Sequence, residues 1–433
     1  MRLRSIPGAV PRLLAAGLAG APLAALAATP AFNGADTAWM LISTVLVLLM
    51  TVPGIMLFYS GMLRAKNGLS IIAHTIAATA VITVCWAMVG YSIAFTSGGT
   101  PYVGGLGRVF AEGLVGKGVG AHPSAPTIPE SVFFLFQLSF AIITFALILG
   151  ATAERMRMGI TLVFAALWSV LIYAPVAHWI WHPTGWLAQM GHMDFAGGTV
   201  VHIASGVSGL AAAVVLGPRR GFGKEPMVPH NLLITVLGAG LLWAGWFGFN
   251  AGSAFEASTR AAGALLATQV AACAGAMLWG FCEFMRRGQW SVLGSMTGAI
   301  AGLIAVTPAS GFVGVSGALA IGSIAGIVCF FAVVGFKSAT GIDDSLDVFA
   351  LHGVGGMVGT LLTPVFATAA VAPVTATVVT NGIGALAVMA YAGVGTWLLL
   401  RLIGLVVPLR VDAEEEKVGL DIAQHGEMLA PNA

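Results

Sequence analysis

The feature that most constrains this chain is a series of apolar stretches of about 20 residues, each separated from the next by a polar gap. Eleven such stretches follow residue 36, at about 37–60, 69–96, 130–152, 158–181, 196–217, 231–252, 262–284, 291–307, 312–336, 347–368 and 380–406. Charged residues make up 8% of the chain, whereas soluble domains carry roughly 25%. The sequence therefore predicts an all-α polytopic membrane protein with eleven transmembrane helices and excludes an ordinary soluble domain.

Composition excludes several classes of function. The 19 Lys and Arg nearly balance the 17 Asp and Glu without a basic cluster for phosphates, so nucleic acid is not an expected partner. The chain has no Gly-rich phosphate loop with Lys, no nucleophile elbow and no paired intramembrane carboxylates, and we expect neither an enzyme nor a cofactor. Four cysteines lie in apolar runs without zinc-type spacing, and we interpret them as small buried hydrophobes: Cys85, Cys273, Cys282 and Cys329.

The N-terminus has the pattern of a signal peptide, because basic residues precede an Ala/Leu run that ends in Ala25-Leu26-Ala27. We predict a removable signal peptide over 1–27, a membrane domain over 28–409 and a cytoplasmic tail over 410–433. The competing interpretation is a first membrane helix, but the run contains Pro22 and its ~15 residues fall short of the ~20 that a span needs.

The positions of Lys and Arg predict the orientation. Beyond the signal peptide, thirteen of them follow odd-numbered stretches or lie at the end of the last one, against three in the alternate gaps: Arg108, Lys117 and Arg260. Because cytoplasmic loops are enriched in Lys and Arg, we expect the mature N-terminus outside and the C-terminus in the cytoplasm of a cell (inner) membrane protein.

An internal repeat relates the two halves of the chain. The fifth and tenth stretches share the pattern Asp-x7-His-x3-Gly-x2-Gly, which starts at Asp194 and at Asp344. Five helices per half insert the second copy upside down, so the sequence predicts two inverted five-helix repeats plus a final helix.

The repeat predicts a histidine pair, His202 and His352, in the middle of the membrane. Each lies about 12 Å along its helix from the aspartate, and the helices start at opposite faces of a core of about 30 Å. Ionisable groups at that depth usually face a pathway, although a lone histidine could also be a satisfied packing residue. Two histidines without Cys, Asp or Glu at ligand spacing make a poor metal site, and we predict none.

Polar and aromatic residues mark the outer side of the predicted bundle. Asp194 can cap the helix that follows it, and its charge could also attract a cation at the outer mouth. Phe136 and Phe140 share a helix face, Trp181 ends the fourth stretch, and Trp246 and Phe249 lie near the outer end of the sixth, just before Ser253. These aromatic residues fit either an interfacial belt with packing or a cation–π receptor for a small cation.

Six strings are similar to the ammonium transporter family (Amt/MEP/Rh), on its bacterial Amt side. They are PGIMLFY at 53–59, GATAER at 150–155, DFAGGTVVH at 194–202, GWFGFNAGSA at 245–254, VTPASG at 306–311 and DVFALH at 347–352. This sequence departs from the family pattern at Ser60, at Leu138 and after Trp181, where His182 and Pro183 leave the local geometry uncertain.

The resemblance implies a homotrimer with one pore per subunit and assigns residues to roles. Trp181, Phe140 and Ser253 match an outer ammonium recruitment site approached past Phe136, and Phe140 and Phe249 match a stacked phenyl gate. The residues that match the pore are His202, His352, Leu242, Ile55, Phe58, Tyr59 and Val348. Asp194 matches an aspartate whose role in the family is mainly structural, with an electrostatic contribution left open.

The resemblance also implies function and partners. The expected substrate is ammonium or ammonia, with methylammonium as an analogue, and the expected partners are the lipid bilayer, two further copies and, through the tail, a PII-type (GlnK-like) signal protein. An apolar pore rejects a permanent charge but passes a molecule that sheds its proton, so we expect ammonia to cross, with net charge movement as a hypothesis. Alternatives are an ammonium sensor that signals through its tail and a pore for another small neutral molecule.

Overall fold

The computed structural model describes residues 32–429, and the regular structure in this part of the chain is helical. The predicted signal peptide lies outside the described residues. Within these residues, ten helices are long and apolar enough to cross a membrane, and Val292–Val306 is a shorter apolar helix of 15 residues. In order, the helices are α1 Gly34–Met62, α2 Ala65–Phe95, α3 Glu130–Thr152, α4 Met158–Gln189, α5 Gly198–Leu216, α6 Leu232–Gly252, α7 Thr259–Arg287, α8 Val292–Val306, α9 Val315–Thr340, α10 Phe349–Phe366 and α11 Val378–Gly404. The chain is a multi-pass membrane protein.

Each of the eleven predicted stretches coincides with one of these helices within a few residues. The continuous part of α4 ends at Trp181, and a further helical turn follows at Trp186–Gln189. The long gap between α2 and α3 folds into turns over the outer side of the bundle. An ion pair between Arg108 and Glu130, 2.7 Å between Nη2 and Oε2, fixes this segment to the start of α3. The Nε2 atom of His122 lies 2.9 Å from the Phe95 carbonyl oxygen, and this contact holds the segment to the end of α2.

Helices α5 and α10 cross at glycines. A Cβ atom built on Gly206 would overlap the backbone of Gly353, and one built on Gly356 would lie 2.8 Å from the Gly198 carbonyl oxygen. Residue numbers rise along one helix as they fall along the other, so the two helices are antiparallel. Only glycine allows backbones to approach this closely, and the crossing brings the parts of α5 and α10 that carry the predicted histidines together.

The cysteine prediction is only partly right. Cys329 is buried, Cys85 and Cys282 are half-buried, and Cys273 is exposed. In a membrane protein the outer surface is as apolar as the interior, because it faces lipid or another subunit. An apolar neighbourhood in the sequence therefore does not separate inside from outside.

The tail folds back onto the bundle at the side predicted to be cytoplasmic, as two short helices, α12 Ala413–Val418 and α13 Leu420–His425. A capping box between Asp412 and Glu415 starts α12. Glu416 accepts the Arg220 backbone N–H at 2.6 Å, and Asp421 accepts the Ser70 N–H at 2.7 Å. The tail thus joins the loop after α5 to the start of α2.

Candidate functional site

Two widened helical turns hold the predicted histidines. Helix α5 begins with the π-helical segment Gly198–Ile203, and α10 begins with the π-helical segment Phe349–Gly353. The Nδ1 atoms of His202 and His352 lie 3.1 Å apart, with 5.2 Å between ring centroids and 28° between ring planes. The side chains are 2% and 6% exposed. Short π-helical turns within α-helices recur at functional sites, because they change the direction of side chains without ending the helix.

The contact between the histidines has a chemical consequence. In a hydrogen bond between two Nδ1 atoms, one nitrogen donates and the other accepts, so two neutral rings hold opposite tautomers. One Nε2 atom is then a donor and the other an acceptor. The buried Nε2 atom of His202 has no hydrogen-bond partner among the described residues. The pair therefore offers one hydrogen-bond donor and one hydrogen-bond acceptor to a small molecule that can itself accept and donate hydrogen bonds.

A narrow apolar cavity surrounds the pair. Its lining contains both histidines, the predicted gate residue Phe249 and four further residues predicted for the pore: Ile55, Phe58, Tyr59 and Leu242. Val348 does not line this cavity, since it lies with Tyr59 against Gly150, where an added Cβ would be 2.8 Å from both side chains. Further apolar residues that the sequence did not single out complete the wall: Met50, Ile143, Leu147, Ile300, Leu346 and Leu351.

Trp246 is a member of this site that sequence reasoning placed only near the outer end of α6. Its ring stacks on His202, with 5.5 Å between centroids and 26° between planes. The indole Nε1–H donates to Thr307 Oγ1 at 2.9 Å, which fixes the ring. The sequence contained a signal for this position of Trp246, because Trp246 and the predicted gate residue Phe249 are three residues apart and share a helix face.

An outer aromatic pocket brings together the four residues predicted for it: Phe136, Phe140, Trp181 and Ser253. The Phe140 and Trp181 rings meet edge to face, with 5.6 Å between centroids. Ser253 Oγ donates to the Phe249 carbonyl at 2.9 Å, so its lone pairs stay free to accept from a ligand. Further lining residues are Ser124, Phe133, Gln137, Phe195 and Phe255. Electron-rich ring faces beside a hydroxyl acceptor suit a small cation that can donate hydrogen bonds.

Two phenyl rings separate the pocket from the cavity. Phe140 and Phe249 are stacked, with 4.1 Å between centroids and 19° between planes. Phe140 lines the outer pocket and Phe249 lines the histidine cavity, so the stack is the wall between the two spaces. The side chains are 1% and 0% exposed. Passage between the spaces requires at least one ring to move.

Asp194 caps the start of α5 with both carboxylate oxygens. It accepts backbone N–H groups from Gly197, Gly198, Thr199 and Val200 at 2.6 to 3.0 Å. Burial raises the pKa of Asp194 above its ordinary value, although the four N–H donors act in the opposite direction. This geometry confirms the capping interpretation and fixes the turn that leads to His202.

A charge cluster on the same side of the bundle as the tail, which the sequence did not reveal, links three loops. Arg219 forms ion pairs with Asp343 at 2.8 Å and with Glu154 at 3.1 Å, and Glu154 also pairs with Arg64 at 2.7 Å. Burial acts to raise the pKa of Glu154, but the two arginines hold it below its ordinary value. Asp344, next to this cluster, accepts the Phe349 N–H at 2.7 Å and so caps the turn that carries His352.

Comparisons with known proteins relate this chain to one family of membrane proteins. A sequence model of the Ammonium Transporter Family matches residues 38–430. A relative from Bacillus subtilis (strain 168), described as an ammonium transporter, is 44% identical over 403 residues, which cover 90% of this chain and 97% of that protein. The crystal structure of Candida albicans Mep2 superposes with a TM-score of 0.84 at 36% identity and covers 93% of each chain. A structure described as a sensor Amt protein superposes with a TM-score of 0.83 at 30% identity and covers 90% of this chain and 98% of that one.

Proposed function

The chain belongs to the ammonium transporter family, and from this premise we propose that it takes up ammonium at the outer aromatic pocket and conducts ammonia past the histidine pair. The observation that carries the proposal is the Phe140–Phe249 stack, which divides an aromatic pocket suited to a cation from an apolar cavity suited to a neutral molecule. The proton is removed between these two spaces.

Selectivity follows from the two environments. Ring faces attract ammonium and potassium alike, by about 0.5–2 kcal/mol for each cation–π contact. A permanent charge in the histidine cavity meets only apolar side chains and two imidazoles, which do not replace its hydration shell. Ammonium can leave its proton outside and cross as ammonia, which accepts from one imidazole and donates to the other. Potassium has no such route and is excluded.

Net charge movement is a further part of the proposal. The histidine pair is a ready proton relay, because opposite tautomers allow one ring to take up a proton as the other releases one. The released proton then follows ammonia through the pore and transport is electrogenic. Ammonium-evoked current on proteoliposomes tests this step, and uptake without current contradicts it.

Uptake of methylammonium by reconstituted protein, with potassium as competitor, tests the function itself. We expect wild type to transport and potassium in excess to leave the rate nearly unchanged. His202→Ala and His352→Ala should each lower the rate or the selectivity at least tenfold, whereas Cys273→Ala, an exposed change on α7, should not. Wild-type rates and selectivity in both histidine variants would contradict the pore assignment.

We also propose the architecture that family membership suggests. The eleven helices α1–α11 all cross the cell (inner) membrane as two inverted five-helix halves plus α11, with the N-terminus outside after removal of the signal peptide over 1–27. The antiparallel crossing of α5 and α10 supports the inverted halves, and the distribution of Lys and Arg supports the orientation. Three chains assemble into a homotrimer, and the mass of the detergent-solubilised protein tests this.

The docked tail supports a regulatory role through a PII-type (GlnK-like) protein. Residues 410–429 lie against the loop after α5 and the start of α2, where a partner that displaces or clamps them alters the cytoplasmic surface. The cognate PII protein should retain the full chain in a pull-down and lose the chain that ends at Leu409. Equal retention of both would contradict the role.

A sensor is the second candidate function, because the chain resembles a structure described as a sensor Amt protein. The rate of methylammonium uptake separates the two candidates. A transporter moves the analogue well above empty liposomes, whereas a sensor binds ammonium with little uptake.

A further inference from the structure

A groove on the outer surface of the bundle lies between α5 and α11. It is lined by Val207, Leu210, Ala211, Val214, Gly393, Val394 and Trp397. Val214, Val394 and Trp397 are 48%, 58% and 41% exposed. Apart from the indole N–H, no polar side-chain group lines the groove, so its walls match a hydrocarbon chain rather than water.

A positively charged side chain, Arg401, lies at the cytoplasmic end of this groove. Arg401 is one helical turn beyond Trp397, and its guanidinium carbon lies 5.4 Å from the centroid of the indole ring. The guanidinium makes no hydrogen bond or ion pair with any residue in the described range 32–429, and it is exposed. Arg410 and Lys337, at the same side of the protein, pair with carboxylates. Arg401 therefore carries a charge in a spanning helix with no counter-charge from the described part of the chain.

The distance between the two features fits one leaflet. Gly393 and Arg401 are eight residues apart on α11, which is about 12 Å along the helix. Half of a hydrocarbon core of about 30 Å is about 15 Å. A lipid whose phosphate sits on Arg401 therefore runs its acyl chain along the groove to the level of Gly393. The absence of a side chain at Gly393 leaves room, since an added Cβ would have only Val207 nearby, at 3.7 Å.

We propose that this groove binds one anionic glycerophospholipid of the cytoplasmic leaflet, with its phosphate on Arg401 and one acyl chain along α5 and α11. The charge argues for an anionic headgroup, because Arg401 lacks a carboxylate partner and attracts negative charge at the membrane surface. The site goes beyond the transport function and does not depend on it. Its occupant packs α11 against α5, the helix that carries His202, beside the 2.9 Å hydrogen bond from Thr396 to Ser208.

Native mass spectrometry of the full-length protein, titrated with palmitoyl-oleoyl phosphatidylglycerol or phosphatidylethanolamine, tests the proposal. We expect wild type to bind phosphatidylglycerol more tightly than phosphatidylethanolamine. Arg401→Gln should weaken phosphatidylglycerol binding about fivefold and phosphatidylethanolamine binding less, because the ammonium of phosphatidylethanolamine already neutralises its phosphate. Arg286→Gln, which removes an exposed cation at the cytoplasmic end of α7, is the matched control and should behave as wild type.

Gly393→Leu tests the acyl-chain part, because its side chain fills the groove and should weaken binding of both lipids. Its lipid-free melting temperature, if equal to that of wild type, shows that the fold is intact. Three results would overturn the proposal: equal affinity of wild type for the two lipids, unchanged phosphatidylglycerol binding by Arg401→Gln, or unchanged binding of both lipids by a folded Gly393→Leu.

Discussion

The cap that Asp194 forms on α5 makes a quantitative prediction. Four buried N–H groups depend on this carboxylate, at 2.6 to 3.0 Å. A buried donor left without an acceptor costs about 1–3 kcal/mol. Asp194→Ala therefore destabilises the protein by about 4–12 kcal/mol, which is comparable with the whole free energy of unfolding of about 5–15 kcal/mol. We expect this variant to fail to accumulate as folded protein.

Asp194→Asn is the informative substitution. Its single carbonyl oxygen can serve two of the four donors, so we expect a loss of about 2–6 kcal/mol. At about 2 °C per kcal/mol in a large chain, the melting temperature falls by about 4–12 °C. Thermal unfolding of the purified protein measures this, and methylammonium uptake in parallel gives KM and the maximal rate. Because the carboxylate is buried and occupied by N–H groups, we expect the maximal rate to fall more than KM rises.

A matched control is Asp36→Asn, on α1. This carboxylate is equally buried, at 6% exposed, but within residues 32–429 its only backbone donor is Ala257, at 2.8 Å. The variant should lose less stability than Asp194→Asn and keep its uptake kinetics. A melting temperature for Asp194→Asn within about 1 °C of wild type, with only KM raised, would refute the structural account. Attraction of the cation by charge would then be the role of Asp194.

Three further predictions concern other parts of the molecule. Glu154→Gln removes the carboxylate that pairs with Arg64 and leaves Arg219 with Asp343, and it should cost about 1–3 kcal/mol at pH 7. Since the pKa of Glu154 is lowered in the folded state, wild type keeps this stability above the ordinary carboxyl pKa of ~4.3 and loses it as the pH falls further. The melting temperatures of wild type and variant should therefore converge in acid, with the exposed Glu112→Gln as control. Thr307→Val removes the acceptor that holds Trp246 on His202 and leaves the buried indole N–H without a partner, so it should lower methylammonium uptake severalfold and the melting temperature by about 2–6 °C. An unchanged uptake rate would separate Trp246 from conduction. Glu416→Gln weakens the contacts of the tail with the loop after α5, and limited proteolysis should then cut the tail faster than in wild type; equal rates would show that the tail is held elsewhere.

The sequence located the helices and the chemistry of the pore because both depend on local patterns. Long apolar runs predict helices in a membrane, and an Asp-x7-His spacing places each histidine at a set depth in its helix. The aromatic residues of the outer pocket and the gate were assigned by resemblance to strings of the family. The structure brings these aromatic residues together, whereas Val348, assigned to the pore by the same resemblance, does not line the histidine cavity.

Features that depend on which helices meet could not be derived from the sequence. Trp246 joins the histidines, and Glu154 joins Arg219 and Asp343, only because separate helices and loops converge. The burial of Cys329 and the exposure of Cys273 follow from which side of a helix faces lipid, and an apolar composition hides that difference.

What the sequence by itself determined is the class of protein, the positions of its helices and the two histidines. Hydropathy and spacing are properties of a single segment, so they can be read along the chain. The tertiary structure decided how the histidines face each other, which rings separate the aromatic pocket from the histidine cavity and which arginine has no carboxylate partner among residues 32–429. These are distances between segments far apart in the sequence, and they are set by packing at crossings such as that of α5 and α10.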